Sequence, residues 1–293
     1  MSKEKVLFLT CQPLTPTSVL DLKISRPGLW FPTIWIYLVP FSNQDQFWKS
    51  LPFWLGLFFV TFPLNYLVYG LNDYNDVYAD AVNQRKGNFL FGAKATQQQL
   101  QKVPLKIAIL IAPFVILFTA MAGFQMFGLL LFMVAVNVAY NFKPLRLKER
   151  PPFEILIQIG YVITAVFSTT LNDLEMLPWQ TLVYLSLFAF QAHIAGEIMD
   201  IEPDLEAGKR TTATLLKRKN TKIIMFVLLL LEAVLLWFWF KDAVLAIFLL
   251  VFALWLFLDA FIFFKNQPYS VRQMTFFGYA INAAAIGLSL IHI

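Results

Sequence analysis

Long runs of apolar residues, separated by polar segments, cover most of this chain of 293 residues. A helix needs about 20 apolar residues to cross a bilayer, and nine runs approach that length. They extend approximately over residues 24 to 41, 51 to 73, 104 to 122, 124 to 141, 152 to 171, 180 to 198, 222 to 240, 242 to 264 and 273 to 291. The pattern predicts an all-α polytopic membrane protein with nine transmembrane helices.

The first apolar run is interrupted by Pro27, Pro32 and Pro40, so we expect a kinked first helix whose freed carbonyls are satisfied by neighbouring helices. Composition supports the membrane assignment, because 59% of the residues are hydrophobic and only 14% are charged, unlike a soluble globule. Cys11 is the only cysteine, which excludes an internal disulfide and a thiolate metal cluster. We treat residues 1–293 as one transmembrane domain.

The positive charges predict the orientation of the chain. If the N-terminus is cytoplasmic, nine helices place every one of the 23 Lys and Arg residues except Lys49 and Lys241 on the inner side, as expected because cytoplasmic loops collect basic residues. Two long loops on that side, roughly residues 74 to 103 and 199 to 221, contain most of the unusual polar residues. We therefore expect an integral protein of a prokaryotic inner membrane with its active site facing the cytoplasm.

Both long loops adjoin a set of three carboxylates at the spacing i, i+3 and i+7, which lie on one stripe if the segment is helical. These sets are Asp73, Asp76 and Asp80 after the second run, and Glu197, Asp200 and Asp204 after the sixth. Pro203 weakens the helical prediction for the second set, because it disfavours a helical conformation at Glu202. Acidic residues contribute little to membrane orientation and are costly in a membrane, so the repeated pattern indicates a functional site.

Six carboxylates supply the hard oxygen ligands that suit Mg²⁺ better than Zn²⁺ or copper. Protein-bound Mg²⁺ usually combines a few carboxylates with phosphate oxygens, and basic side chains near both sets would hold those oxygens. The candidates for binding a diphosphate are Asn72, Arg85, Lys86, Lys148, Lys209 and Arg210. For the individual basic residues the competing interpretation is that they are solvated loop charges that only set orientation.

The two acidic segments carry a family resemblance. The pattern NDxxDxxxDxxNxRK at Asn72 to Lys86, followed by DxxxDxxAGxxT at Asp200 to Thr211, resembles the UbiA superfamily of intramembrane prenyltransferases. The Arg26-Pro27 pair at the first helix and the segment YNFKPLRLK after the fourth are similar to that family as well. The resemblance covers the whole chain and implies helices that surround a central cavity.

The resemblance also implies the roles of the acidic residues. The catalytic set would be Asp73, Asp76, Asp80, Asp200 and Asp204, and the same five residues together with Glu197 would bind Mg²⁺ on the diphosphate of an isoprenyl donor. Glu197 stands where many relatives have Asp, but its longer side chain would still reach a metal or its water. The cavity would accept the hydrocarbon tail of the donor.

An allylic cation forms when the diphosphate leaves, so the reaction requires a dry pocket with aromatic faces. The residues expected in the acceptor or cation pocket are Arg26, Tyr69, Tyr140 and His193, with Tyr66, Tyr74, Phe142 and Tyr161 as further aromatic candidates. The base that removes the final proton stays open among a carboxylate, the released pyrophosphate and His193. Glu232 and Asp259 lie inside predicted helices; we assign both a structural role, with Lys265 as the expected partner of Asp259.

Within the superfamily, the run from Asp200 to Thr214 resembles the lycopene elongases, which modify carotenoids. This resemblance implies alkylation of the end of a long polyene, with or without capture of water. Two enzymatic alternatives stay open, namely prenylation of an aromatic quinone precursor and cyclisation of the prenyl chain itself. A transporter is disfavoured, because transport sites usually lie near the bilayer midplane. The expected partners are an isoprenyl diphosphate, a lipophilic acceptor and membrane lipid, but no nucleic acid.

Overall fold

The computed structural model describes residues 17–42 and 44–292, and in these ranges the regular structure is helical; Cys11 lies outside them. The α-helices are α1 (Thr17–Ile24), α2 (Phe31–Leu38), α3 (Leu51–Thr61), α4 (Pro63–Asn75), α5 (Val77–Val82), α6 (Gln97–Leu100), α7 (Val103–Ala122), α8 (Phe124–Asn141), α9 (Phe153–Leu156), α10 (Ile163–Leu171), α11 (Trp179–Glu206), α12 (Thr212–Leu235), α13 (Ala243–Phe261) and α14 (Val271–His292). The all-α prediction is confirmed.

Seven helical units of the described ranges are long and apolar enough to cross a membrane, and the chain is an integral membrane protein. They are Leu51–Asn75, Gln97–Ala122, Phe124–Asn141, Phe153–Leu171, Trp179–Glu206, Thr212–Phe240 and Ala243–Phe261. The first predicted span is represented by a shorter apolar helix, Phe31–Phe41, and the last by α14. The count of nine spans and the cytoplasmic N-terminus therefore stay predictions.

The prolines account for the shortness of the first apolar helix. Pro27 lies at the start of the 3₁₀ turn Pro27–Leu29, and Pro40 lies in a second one, Val39–Phe41. Proline fixes φ and has no N–H to donate, so it is tolerated at these positions but does not continue an α-helix. Arg26 precedes the first turn with φ of 53°, and the chain changes direction there.

The second predicted loop is much shorter than expected. Helix α11 continues to Glu206 and α12 begins after Thr211, so residues 207–211 alone connect the two helices. Pro203 is inside α11, and its carbonyl accepts a hydrogen bond of 2.9 Å from the Ala207 N–H. The expectation that Pro203 disturbs the helix was wrong: the proline removes one hydrogen bond, but α11 continues past it to Glu206.

Two large groups of helices form most of the apolar interior, and a smaller third cluster completes it. The first packs aromatic rings such as Phe59, Phe118 and Phe167, contributed by α3, α7 and α10. The second packs α11, α12 and α13 around Leu229 and Ala253. Elements from both groups line one large cavity, so the packing of the two groups positions the site.

Buried charge also joins the helices of the second group. Lys222 Nζ lies 2.5 Å from Asp259 Oδ2, and both side chains are fully buried. Tyr269 donates a further hydrogen bond to the same carboxylate oxygen. The predicted pairing of Asp259 with Lys265 is corrected: Lys265 contributes its backbone carbonyl, which accepts a hydrogen bond of 3.0 Å from Lys222. Lys222 stands at the predicted start of the seventh apolar run, but α12 begins earlier, at Thr212, and so contains Lys222 in its interior.

Candidate active site

A cavity of about 560 Å³ runs alongside α11, with polar groups at one end and apolar ones at the other. Asp204 and Tyr184 both line it, and they are separated by 20 positions of one helix, which corresponds to about 30 Å. The polar end contains residues of both acidic segments. The apolar end includes Trp35, Phe188 and Phe252, so the cavity has the form that an amphiphilic ligand requires.

The first acidic segment is less regular than its spacing predicted. Helix α4 ends at Asn75, α5 begins at Val77, and Asp76 between them has φ of −113° and ψ of 18°. Asp73, Asp76 and Asp80 nevertheless remain buried at the same end of the molecule. The break gives Asp76 a different set of cationic partners from the other two carboxylates.

Asp73 and Asp80 share one cation. Lys86 Nζ lies 2.7 Å from Asp73 Oδ1 and 2.9 Å from Asp80 Oδ2. The guanidinium of Arg26 approaches the same Asp73 oxygen to 2.7 Å. Burial raises the pKa of Asp80 to about 6, although the Lys86 ammonium acts in the opposite direction. The Lys86 charge therefore offsets part of the cost of burying the Asp80 carboxylate.

Asp76 has two ammonium partners from distant parts of the chain. Lys148 Nζ lies 2.7 Å from Asp76 Oδ1, and Lys209 Nζ lies 2.8 Å from Asp76 Oδ2. Burial alone would raise the pKa of this carboxyl, but the charges of Lys148 and Lys209 prevail and hold it at about 2. Lys148 also donates to Asn72 Oδ1 at 3.2 Å, so the same ammonium holds both Asp76 and Asn72.

The second acidic segment lies against the first. Asn83 donates a hydrogen bond of 2.8 Å to Asp200 Oδ1, and Arg85 binds both carboxylate oxygens of Asp200, its Nε at 3.0 Å from Oδ1. Lys209 approaches Asp204 Oδ1 to 3.3 Å while it holds Asp76. Lys209 and Arg85 therefore bridge the two acidic segments at a single mouth of the cavity.

Glu197 and Arg210 are placed differently from the other predicted site residues. Glu197 lines the cavity, but its Oε2 accepts a hydrogen bond of 3.0 Å from the Ala213 N–H at the start of α12, and its Oε1 lies 3.1 Å from His193 Nε2. Arg210 is exposed and does not line the cavity. Lys209, the residue before it, lines the cavity and contacts Asp76, so the two neighbouring basic residues differ in their access to the site.

The predicted pocket residues divide into two groups. Arg26, Tyr69, Tyr140, Tyr161 and His193 all line the cavity. The Arg26 guanidinium lies over the Tyr69 ring, 4.4 Å from its centroid, and Tyr140 meets His193 edge to face at 6.2 Å.

The other three aromatic candidates are not in the cavity lining. Tyr66 donates instead to Asp21 at 2.8 Å, and Tyr74 packs against Phe142 at a centroid distance of 6.2 Å. Their positions in the sequence could not show which aromatic side chains pack between helices and which ones face the cavity. Sequence reasoning also gave no role to Asn83, although it is the second asparagine of the pattern NDxxDxxxDxxNxRK.

The donor set fits Mg²⁺ by its chemistry. Among the residues that the structure describes, no three carboxylate, imidazole or thiolate groups converge on one point, because Lys86, Lys148, Lys209 and Arg85 lie between the acids. Asp73 Oδ2, however, is buried and has no hydrogen-bond partner. A buried carboxylate oxygen left in this way is costly and is available to a hard cation. Of the five aspartates that would hold it, four line the cavity, and Asp73 lies behind the lining, in contact with Lys86.

Comparisons with known proteins agree with this arrangement. Residues 29–281 match the UbiA prenyltransferase family. The chain is 32% identical over 226 residues to a lycopene elongase/hydratase of Corynebacterium glutamicum, which covers 74% of this chain and 76% of that protein. It is 28% identical over 204 residues to a lycopene elongase/hydratase of Haloarcula japonica, with 68% of each chain covered.

Solved structures show the same fold. A UbiA homologue from Archaeoglobus fulgidus bound to DMAPP and Mg²⁺ superposes with a TM-score of 0.70 over 94% of this chain and 99% of that chain, at 17% sequence identity. The complex described with GPP and Mg²⁺ gives a TM-score of 0.68. On the family match, the relatives and the fold, this chain belongs to the UbiA prenyltransferase family.

Proposed function

We propose that this protein, acting as a single transmembrane domain, transfers an isoprenyl group from an allylic diphosphate to a lipophilic carotenoid acceptor such as lycopene, and that it requires Mg²⁺. The observation that carries the proposal is the contact of Lys209 with both Asp76 and Asp204. It joins two acidic segments at the polar end of a cavity whose other end is apolar. Such a site fits a diphosphate at its mouth and a hydrocarbon within.

The diphosphate end of the donor binds among the basic residues. Arg85, Lys86, Lys148 and Lys209 all line the polar end of the cavity, and their charges stabilise the negative charge that grows on the leaving oxygens. Mg²⁺, when bound by the aspartates, supplies further electrophilic stabilisation of the same oxygens. The C–O bond of the donor then breaks, and its electron pair leaves with pyrophosphate.

The allylic cation that remains is protected from water by the cavity walls. The faces of Tyr69 and Tyr161 border this space, and aromatic faces attract cations. Arg26 already covers one face of Tyr69, which leaves Tyr161 and the other face of Tyr69 for the allylic group. The acceptor double bond attacks the allylic carbon, and the resulting cation loses a proton to the released pyrophosphate or is captured by water.

The carotenoid acceptor is supported by the length of the cavity and by the relatives. The lining extends from Asp204 to Tyr184, a path of about 30 Å along α11, which suits a long linear polyene better than a compact aromatic ring. The relatives from Corynebacterium glutamicum and Haloarcula japonica are both described as lycopene elongase/hydratase. We further propose nine spans, a cytoplasmic N-terminus and a cytoplasmic mouth of the cavity.

The test is a transfer assay with the purified protein in lipid nanodiscs, Mg²⁺, radiolabelled dimethylallyl diphosphate and lycopene. We expect label in a product that is heavier than lycopene by one C₅H₈ unit, with or without one water. Geranyl diphosphate and an aromatic quinone precursor serve as the alternative donor and acceptor. Labelling of the aromatic compound but not of lycopene would contradict the acceptor, and a cyclic product from the donor alone would contradict transfer.

A further inference from the structure

At one position of the cavity wall, Gly196, neither the backbone conformation nor close packing of a neighbour requires a glycine. Three glycines, Gly160, Gly196 and Gly278, are among the described residues that line the cavity. A Cβ atom at Gly160 would lie 2.8 Å from Val136, and one at Gly278 would lie 2.8 Å from Leu90, so these two glycines allow close packing. A Cβ atom at Gly196 would meet nothing within 4 Å. Gly196 therefore borders open space.

The helix itself does not require glycine at this position. Gly196 lies in the interior of α11, does not have the positive φ found at Gly87, Gly92, Gly123 and Gly208, and could accommodate an alanine. Glycine in a helix interior is less stable than alanine. The absence of a side chain therefore lowers the stability of the helix. In return, it leaves space inside the cavity at this position.

The open space lies next to the reacting groups. Gly196 is four residues before Asp200 and therefore one turn away on the same face of α11, about 6 Å deeper in the cavity. Ala192, one turn deeper again, also lines the cavity. A diphosphate held at the level of Asp200 and Lys209 would place its allylic carbons beside Gly196, where the end of the acceptor must also fit.

We infer that Gly196 determines acceptor specificity, because it keeps open the space in which the end of a long polyene meets the allylic carbon. This inference rests on the proposed function. A larger side chain at position 196 would fill that space while the diphosphate-binding groups, one turn away, remain in place. The substitution should therefore affect the acceptor far more than the donor.

The experiment compares Gly196→Ala, Gly196→Leu and a matched control, Gly128→Leu. Gly128 is also in a helix interior, in α8, and a Cβ atom there would meet nothing within 4 Å, but the residue is exposed and does not line the cavity. Each variant in nanodiscs is assayed for transfer from dimethylallyl diphosphate to lycopene and, separately, for Mg²⁺-dependent binding of the labelled donor. Thermal unfolding reports whether each variant is folded.

We expect Gly196→Leu to lower kcat/KM for lycopene by at least about a hundredfold and Gly196→Ala by about tenfold, since single carbons in a pocket change specificity by such factors. Donor affinity should stay within about twofold, and Gly128→Leu should match the wild type. Two results would overturn the inference but not the proposed function. One is undiminished transfer to lycopene by either folded Gly196 variant, and the other is a loss of donor binding as large as the loss of transfer. Absence of transfer by the wild-type protein would instead overturn the proposed function, and the inference with it.

Discussion

Lys209 donates a hydrogen bond of 2.8 Å to Asp76, a residue 133 positions earlier in the chain. The same ammonium lies 3.3 Å from Asp204, so it stands between two carboxylates that belong to different acidic segments. Like charges this close would repel one another without a cation between them. The contact joins two motifs that are remote in sequence at the site that we propose binds one diphosphate.

Replacement of Lys209 tests that contact directly. Lys209→Met removes a charge that holds the leaving oxygens, so we expect kcat/KM for the donor to fall by at least about a hundredfold, the scale seen when one charged stabilising group is lost. Arg210→Met is the matched control, because the adjacent arginine is exposed and outside the cavity. Pyrophosphate release with saturating acceptor is the measurement. Equal losses in both variants would contradict the assignment.

Both acidic segments should be needed at the same time. Asp76→Asn and Asp200→Asn each remove a carboxylate from the shared site, and we expect each to lower kcat by about a hundredfold or more. Asp21→Asn is the control, since Asp21 pairs with Lys106 outside this cavity. Pyrophosphate release at the wild-type rate by either site variant would show that one segment is sufficient.

Removal of divalent metal should stop transfer without unfolding the protein. Lys86, Lys148, Lys209 and Arg85 already neutralise the carboxylates, so the fold does not need an ion to separate the negative charges. We expect EDTA to abolish pyrophosphate release and added Mg²⁺ to restore it, while the helical circular dichroism and the unfolding temperature stay unchanged. Transfer that persists in EDTA would refute the metal requirement.

Breaking the buried pair of Lys222 and Asp259 should destabilise the protein. Lys222→Met leaves the Asp259 carboxylate buried without its ammonium, which typically costs about 3–5 kcal/mol. The double variant Lys222→Met/Asp259→Leu removes both charges and should recover much of that loss. The measurement is the unfolding temperature of each variant and of the wild type in detergent. Equal unfolding temperatures for the wild type and Lys222→Met would contradict the expected cost of an unpaired buried carboxylate.

Labelling of single cysteines should establish the orientation. In a Cys11→Ser background, we expect Lys241→Cys to react with a membrane-impermeant maleimide on intact cells, and Gln84→Cys to react only after permeabilisation. Both wild-type residues are exposed, so access to the reagent depends on the side of the membrane. The opposite labelling pattern would reverse the proposed topology.

Much of the site follows from local chemistry. Three carboxylates at i, i+3 and i+7 near lysines and arginines predict a metal-diphosphate site in this chain, because clustered negative charge requires cations and Mg²⁺ is bound by carboxylate and phosphate oxygens. The neighbours of Arg210 in sequence do not show that it faces away from the cavity, since that depends on the direction of the backbone after Gly208. Similarly, the pairing of Asp259 with Lys222 depends on how α12 packs against α13.

What the amino-acid sequence determined by itself is the apolar runs, the two acidic segments and the family resemblance, since each depends only on residue types and their spacing along the chain. What only the tertiary structure decided is the contact of Lys209 with Asp76 and Asp204, the aromatic rings that line the cavity, and the open space at Gly196. These depend on how helices distant in sequence pack against one another, because a side chain's partner is set by distance in space and not by position along the chain.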